Sequence, residues 1–255
     1  MVLLEAVFLV VFWTWVGSAF LLLRQAILLS NVTALPPQTP QLSVEPVVLH
    51  ATDGLRLAAW KVPGDDPTRP WIILCHDAKR SPRDLLDLAV ALRHERFNLL
   101  LLGFRGHGGS DGWATSWGWR EQRDLEGALV WLGRQPDVPA RPYGVYGCGM
   151  GGSVALLVAA RDERLGAIVT ERPYATLQEG LKDALRRAYP FLPPWPTWWF
   201  VAAAYRLWHG VWPHRVAPQK LVAQLTSPCL LIHQPDVQRI TAFFKTHLSF
   251  TTFRL

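Results

Sequence analysis

The sequence predicts an α/β fold: a doubly wound, mostly parallel sheet with helices on both faces, opened by a hairpin and covered by a helical cap. Three observations predict it. Two strand-like runs, 44–50 and 55–62, flank Thr52-Asp53-Gly54, and Asp-Gly between such runs is a strong hairpin signal. Unbroken apolar runs follow, such as Trp71-Ile72-Ile73-Leu74-Cys75 and Leu99-Leu100-Leu101-Leu102, the pattern of strands buried on both faces of a parallel sheet. These runs alternate with amphipathic helical stretches, which builds βαβ units.

Taken in order, residues 6–23 (AVFLVVFWTWVGSAFLLL) carry no charged side chain. A helix of that length spans about 27 Å, close to the hydrocarbon thickness of a bilayer. Residues 1–30 are therefore expected to be a transmembrane anchor, and the chain a single-pass membrane protein. A cleaved signal peptide competes, because Val32-Thr33-Ala34 has the pattern of a cleavage site. Glu5, the lack of Lys or Arg ahead of the apolar run and the distance to Ala34 favour a retained anchor. Arg24 follows the span and inclines the next domain towards the cytoplasm, although one Arg leaves the side of the membrane open. Residues 31–43, rich in Pro and Thr, read as a stiff tether.

The globular domain is expected over 44–255. After strand 71–75, Ser81-Pro82-Arg83-Asp84 opens a helix, with Ser81 as N-cap and Pro82 at the first helical position; Leu85, Leu88, Ala89 and Leu92 form its apolar stripe. Then come a strand at 99–102, a helix at 120–132, a strand at 143–147, a helix at 151–160, and strands at 165–169 and 229–233. Residues 176–227 break the alternation with Pro and Trp. The prolines exclude one continuous helix, and short amphipathic helices forming a cap are expected instead. The aromatics of this insertion either line an apolar pocket, dip into a membrane surface, or pack the cap.

Composition narrows the function. Half of the 255 residues are hydrophobic, enough for a large core, and the net charge of +6 arises from 26 basic against 20 acidic residues. The Arg residues are scattered singly, so no nucleic-acid partner is expected. The three Cys each sit at one end of an apolar run, and neither C-x-x-C nor His-x-x-x-His occurs, so no disulfide framework and no metal are expected. No phosphate-binding or dinucleotide loop is present, and no cofactor is expected.

Three motifs lie between the expected strands: Leu74-Cys75-His76-Asp77, then residues 103–112 (GFRGHGGSDG), then Gly147-Cys148-Gly149-Met150-Gly151-Gly152. On these the chain resembles the α/β-hydrolase superfamily, in particular bacterial membrane-anchored serine hydrolases with an S33-peptidase or esterase-like domain. The resemblance implies the α/β-hydrolase type of sheet and places the protein at a bacterial plasma membrane. Where the family has G-x-S-M-G-G, this chain has Gly149 at the nucleophile.

The register follows from sterics, because residues two before and two after the reactive one must be small, and only Gly147 and Gly151 meet that need. With Cys148 as nucleophile the flanks would be Tyr146 and Met150. Cys148 is kept as an alternative nucleophile. Ser153, a helical turn further on, is expected to face the packed sheet or helix side. The resemblance implies an acid after strand 229–233, for which Asp236 is the candidate, with Glu171 as the alternative, and a base beyond a further helix and strand. The 19 residues after Asp236 carry no pattern for both elements. The last strand and helix are expected to be absent, through natural loss or a truncated or frameshifted frame.

The resemblance also implies an oxyanion hole built from the backbone N–H of Met150 and of Asp77 or Ala78. Asp77 stands where the family has Gly, and a carboxylate there would oppose a developing oxyanion; Gly103 stands where it has Asp. His107 is expected to be a packing residue of its loop. The function expected is a hydrolase-fold protein with lost or impaired activity. An active ester or amide hydrolase using Cys148 is one alternative, and a lipid- or protein-binding module at the membrane is another. The partners expected are membrane lipid and either a small acyl or ester ligand or a membrane protein.

Overall fold

The computed structural model describes residues 41–248 apart from 79, 140, 141 and 192, together with 5–7, 9–10, 12–15 and 17. Glu45–His50 (β1) and Arg56–Val62 (β2) form the antiparallel hairpin, with His50 opposite Arg56. Gly54 at the turn has φ +85°, a conformation that only glycine adopts without strain.

The remaining strands are Trp71–Cys75 (β3), Asn98–Leu102 (β4), Tyr143–Cys148 (β5), Leu165–Glu171 (β6) and Cys229–Ile232 (β7). The sheet runs β1-β2-β4-β3-β5-β6-β7, and all pairings beyond β2–β4 are parallel. From β3 the chain moves to β4 on one side and then crosses to β5 on the other. The carboxyl ends of β3 and β5 are thus the topological switch point, where ligands of such sheets lie.

Helices Leu86–His94 (α1), Gln122–Leu132 (α2), Met150–Ala159 (α3) and Val237–His247 (α6) flank the sheet. Successive side chains of the apolar runs divide between its two faces. Ile73, Cys75, Leu100 and Leu102 pack with α2 and α3, whereas Ile72, Leu74, Leu99 and Leu101 pack with α1 and α6. Ser81 and Asp84 form a capping box, and the first turn, Pro82–Leu85, is a 3-10 turn that leads into α1.

Leu177–Ala188 (α4) and Pro194–His209 (α5), with 3-10 turns at Pro213–Arg215 and Pro218–Gln224, make up the cap. Thr176 caps α4 through Glu179 N, and Gly210, at φ +78°, ends α5. Prolines break the insertion into these pieces. Among the described residues no helix is long and apolar enough to cross a membrane. The expected anchor at 1–30 and tether at 31–43 lie for the most part outside the described residues.

The C-terminal expectation needs a correction. A helix does follow β7: Asp236 caps α6, and Ile240, Phe244 and Leu248 are buried in the core on that face. An apolar i, i+4 stripe behind an Asp cap carried the signal. Among the described residues no strand follows this helix, and β7 is the edge of the sheet; residues 249–255 lie outside the described residues.

Candidate functional site at the strand-to-helix elbow

At the carboxyl end of β5 the chain turns sharply into α3. Gly149 is the turning residue, with φ 51° and ψ −113°, a backbone state that costs any other residue about 1–3 kcal/mol. Its N–H donates to Glu171 O at 2.8 Å, and its carbonyl accepts from Ser153 N at 3.1 Å and Ser153 Oγ at 3.2 Å. Ser153 is fully buried and its Oγ also accepts from Tyr174 N at 3.2 Å, so it braces the elbow from beneath.

The glycines on either side are required by close approach. A Cβ on Gly147 would lie 2.5 Å from Gly152 N, and one on Gly151 would lie 2.7 Å from His76 O. The strand and helix can meet only without those side chains.

Asp77, at the end of β3, enters this turn. Its Oδ1 accepts two backbone hydrogen bonds, from Met150 N at 2.7 Å and from Ala78 N at 2.8 Å. These are the N–H of the residue after the elbow and an N–H of the loop after β3, the two donors that form an oxyanion hole in folds of this kind. In this chain both donors are taken by its own carboxylate oxygen. The same group fills the space of a side chain at 149: a Cβ built there would lie 2.6 Å from Asp77 Oδ2, with Oδ1 and Cγ closer still. Gly149 and Asp77 are therefore sterically linked.

The other candidates have fixed partners. Cys148, the last residue of β5, is half-buried; burial pushes its thiol up to about 12, aided by the neighbouring charges of Asp77 and Glu171. Glu171 is buried at the end of β6, which runs past the expected 169; it accepts from Tyr146 OH at 2.6 Å and pairs with Arg172 at 3.0 Å. Asp236 is exposed and caps α6, accepting from Arg239 N at 3.0 Å. Among the described residues no hydrogen bond links a histidine to Glu171 or Asp236.

Two histidines near the elbow, His76 and His107, are packed away from it. His76 is fully buried, and its Nε2 accepts from Phe104 N at 3.2 Å, so Nδ1 carries the proton and donates to Asp77 O at 2.8 Å. Burial pulls its pKa down to about 3, and its neighbour His107, 4.8 Å away between ring centres, acts in the same direction. His107 is itself buried, with Nδ1 2.9 Å from Arg105 O. Gly103 has no room for a side chain, since a Cβ would lie 2.7 Å from Ala58 O.

The elbow opens into a cavity of about 960 Å3 between the sheet edge and α4. Arg80, Arg172, Arg187 and His233 line it together with Asp77 and Tyr189. Sequence reasoning missed this basic wall, because its members come from separate elements. Arg172 is notable for φ 46°, left-handed for a non-glycine residue, directly after Glu171. Among the described residues no group of His, Cys, Asp or Glu is arranged to hold a metal ion.

One buried ion cluster sits below the site. The Arg105 guanidinium pairs with fully buried Asp124 at 2.6 Å and with Asp53 at 3.0 Å, tying the loop after β4 to α2 and to the hairpin turn. Its charged form is held by these two carboxylates against burial.

Residues 96–205 match the family described as X-Pro dipeptidyl-peptidase (S15 family). The chain is 30% identical over 176 residues to the uncharacterised protein YqkD of Bacillus subtilis, covering 68% of this chain and 56% of that one. It is 25% identical to the α/β hydrolase domain-containing protein WAV2 of Arabidopsis thaliana, covering 69% of this chain and 54% of that one. The chain thus spans about half the length of these curated relatives. Among solved structures, the Pyrococcus furiosus esterase Pf2001 superposes with a TM-score of 0.64 at 20% identity, covering 86% of this chain and 100% of that chain. The α/β hydrolase GrgF of Penicillium sp. sh18 superposes with a TM-score of 0.62 at 19% identity, covering 82% of this chain and 100% of that chain. With the sheet order above, these likenesses establish the α/β-hydrolase fold.

Proposed function

We propose that this chain, an α/β-hydrolase by fold with esterase- and peptidase-like relatives, does not turn over esters or amides, and holds a ligand in the cavity beneath its cap. One observation carries the reading: the Asp77 carboxylate takes both N–H donors that a tetrahedral intermediate would need and fills the space of a nucleophile at 149. Acyl transfer needs a nucleophile and a hole that becomes more favourable as negative charge develops. Here the hole already bears a negative charge, and a substrate carbonyl oxygen would have to displace it. Triad enzymes stripped of the nucleophile retain only about 10³–10⁴-fold acceleration over water, and that residue comes from binding and an open hole.

The cavity beside the plug supports ligand holding, because its size suits a small acyl or ester molecule and its wall carries Arg80, Arg172 and Arg187. The test is turnover of p-nitrophenyl esters and labelling by a fluorophosphonate, using the full chain. The expected result is neither turnover nor label; either one overturns the reading, and turnover that disappears in Cys148→Ala makes the protein a thiol hydrolase. A native mass spectrum of the purified chain reads the second half, with a co-purified acyl compound expected. The apolar stretch 6–23 belongs to this reading as a proposed membrane anchor, checked by resistance to alkaline carbonate extraction.

A further inference from the structure

The cap presents an apolar face that the fold leaves uncovered. Along α5 and the link that joins it to α4, Phe191 is 79% exposed, Trp195 74%, Trp199 61% and Leu207 87%. Trp199, Ala203 and Leu207 recur at four-residue spacing, and all three are exposed, so one stripe of α5 points outward with an apolar surface. Single exposed apolar residues are ordinary, but a contiguous run of large ones marks a surface that meets something.

The side chains around this face say what it meets. A groove of about 360 Å3 runs between α4 and α5, walled by Tyr189, Trp195, Trp198 and Trp199 and edged by Lys182 and Arg186. Lys182 Nζ lies 4.9 Å from the centre of the Trp198 ring. Arg206 is exposed on α5. The acidic side chains of these helices are Glu179 and Asp183, the latter paired with Arg186 at 3.1 Å, so basic groups are in excess. Trp and Tyr beside Lys and Arg are the pairing that sits at the headgroup level of a bilayer, where rings enter the interface and cations meet anionic lipid.

The N-terminal apolar segment joins the same surface. Phe12 packs edge-on against Phe200 of α5, with ring centres 6.0 Å apart, while Val7, Leu9, Val10 and Trp13 beside it are exposed. The apolar surface of the cap is thus continuous with that of the segment.

We infer that the outward face of α4 and α5 docks on a bilayer carrying anionic headgroups, with the Trp groove at the headgroup level and Lys182 and Arg186 against lipid phosphate. The cap, and with it the mouth of the cavity, then rests at the membrane surface. This placement stands independently of whether the cavity turns over substrate.

The test uses the full chain bound to phosphatidylcholine–phosphatidylserine vesicles. A polarity-sensitive fluorophore is placed at Leu207→Cys, with Val48→Cys on the edge strand β1 as control. The native thiols of Cys75, Cys148 and Cys229 are buried or half-buried and pushed up by burial. The expected result is a blue shift and quenching by spin-labelled lipid at 207, with neither at 48. Lys182→Gln with Arg186→Gln weakens the response to phosphatidylserine, by about fivefold per basic group removed. A chain that floats with the vesicles while its 207 probe stays unquenched overturns the inference, as does equal quenching at 48 or a chain that does not bind. A signal at 207 of the same strength on pure phosphatidylcholine overturns the assignment to anionic lipid.

Discussion

The linkage between Gly149 and Asp77 predicts a stability coupling that a double-mutant cycle reads. In Gly149→Ser the new Cβ meets the Asp77 carboxylate well inside van der Waals contact, with Oδ2 at 2.6 Å and Oδ1 nearer. The carboxylate must leave the hole. It then loses its bonds to Met150 N and Ala78 N, each worth about 1.5–3 kcal/mol as a hydrogen bond to a charged group, less what water from the cavity restores. Placing a non-glycine residue at φ 51° adds about 1–3 kcal/mol. The single substitution is expected to cost about 3–6 kcal/mol.

Asp77→Gly alone loses the same two bonds and costs about 2–4 kcal/mol. In the double variant those bonds are lost once and the clash is gone, so the cost stays near that of the serine's backbone strain plus one loss of the bonds. The expected coupling is about 2–4 kcal/mol in favour of the pair. Urea unfolding of the full chain and its three variants measures it, with unchanged m-values as the sign that only the folded state is altered. Additivity to within about 0.5 kcal/mol refutes the argument that Asp77 occupies the side-chain space of residue 149.

Three further outcomes follow from the same structure. Iodoacetamide is expected to modify Cys148 slowly: with the thiol near 12 against an ordinary 9, its thiolate fraction at neutral pH is lower by about a thousandfold. The rate, followed by mass spectrometry, should rise about tenfold per pH unit through pH 9, whereas a plateau below pH 8 indicates an activated thiolate. Neither ring nitrogen of buried His209 has a hydrogen-bond partner among the described residues, and burial lowers its pKa to about 4. Its folded pKa lies below the unfolded one, so its contribution is complete above pH 6.5 and falls by about 1.4 kcal/mol per unit between pH 6.5 and 4. His209→Phe should therefore raise stability by about 1 kcal/mol at neutral pH and flatten that slope, which urea midpoints against pH will show. Asp124→Ala, which leaves Arg105 buried with only half-exposed Asp53, should cost about 3–5 kcal/mol in the same assay, and a loss under 1 kcal/mol contradicts the account of that cluster.

The sheet was legible because its strands are buried on both faces: Trp71–Cys75 and Asn98–Leu102 are apolar throughout and allow few other readings. The elbow register was legible because close packing of β5 on α3 leaves no room for side chains at 147 and 151. What the sequence withheld depends on long-range geometry. Asp77 and Met150 are far apart in the chain, and only the parallel pairing of β3 with β5 brings the carboxylate to the Met150 N–H. The same holds for the basic wall, drawn from Arg80, Arg172 and Arg187 on three segments. Helix α6 was passed over for a different reason: its stripe of Ile240, Phe244 and Leu248 is short and lies among polar residues.

The geometry also bears on what introducing a serine alone can do. Gly149 removes the side chain that would hold the space above the turn, and Asp77 supplies the acceptor that the two inward N–H groups would otherwise take from water or ligand. Each residue makes the other tolerable: an Asp at 77 collides with any side chain at 149, and an elbow glycine leaves a gap the carboxylate fills. A serine introduced at 149 alone thus pushes out a carboxylate that stays beside the hole and opposes a developing oxyanion, and a glycine introduced at 77 alone opens a hole with no nucleophile beside it. Recovery of acyl transfer at this elbow needs both changes together with a base, and among the described residues neither Glu171 nor Asp236 is bonded to a histidine that would serve as one. Any hydrolysis by Gly149→Ser alone would accordingly mean that the displaced Asp77 carboxylate moves clear of both N–H donors and that another group serves as the base.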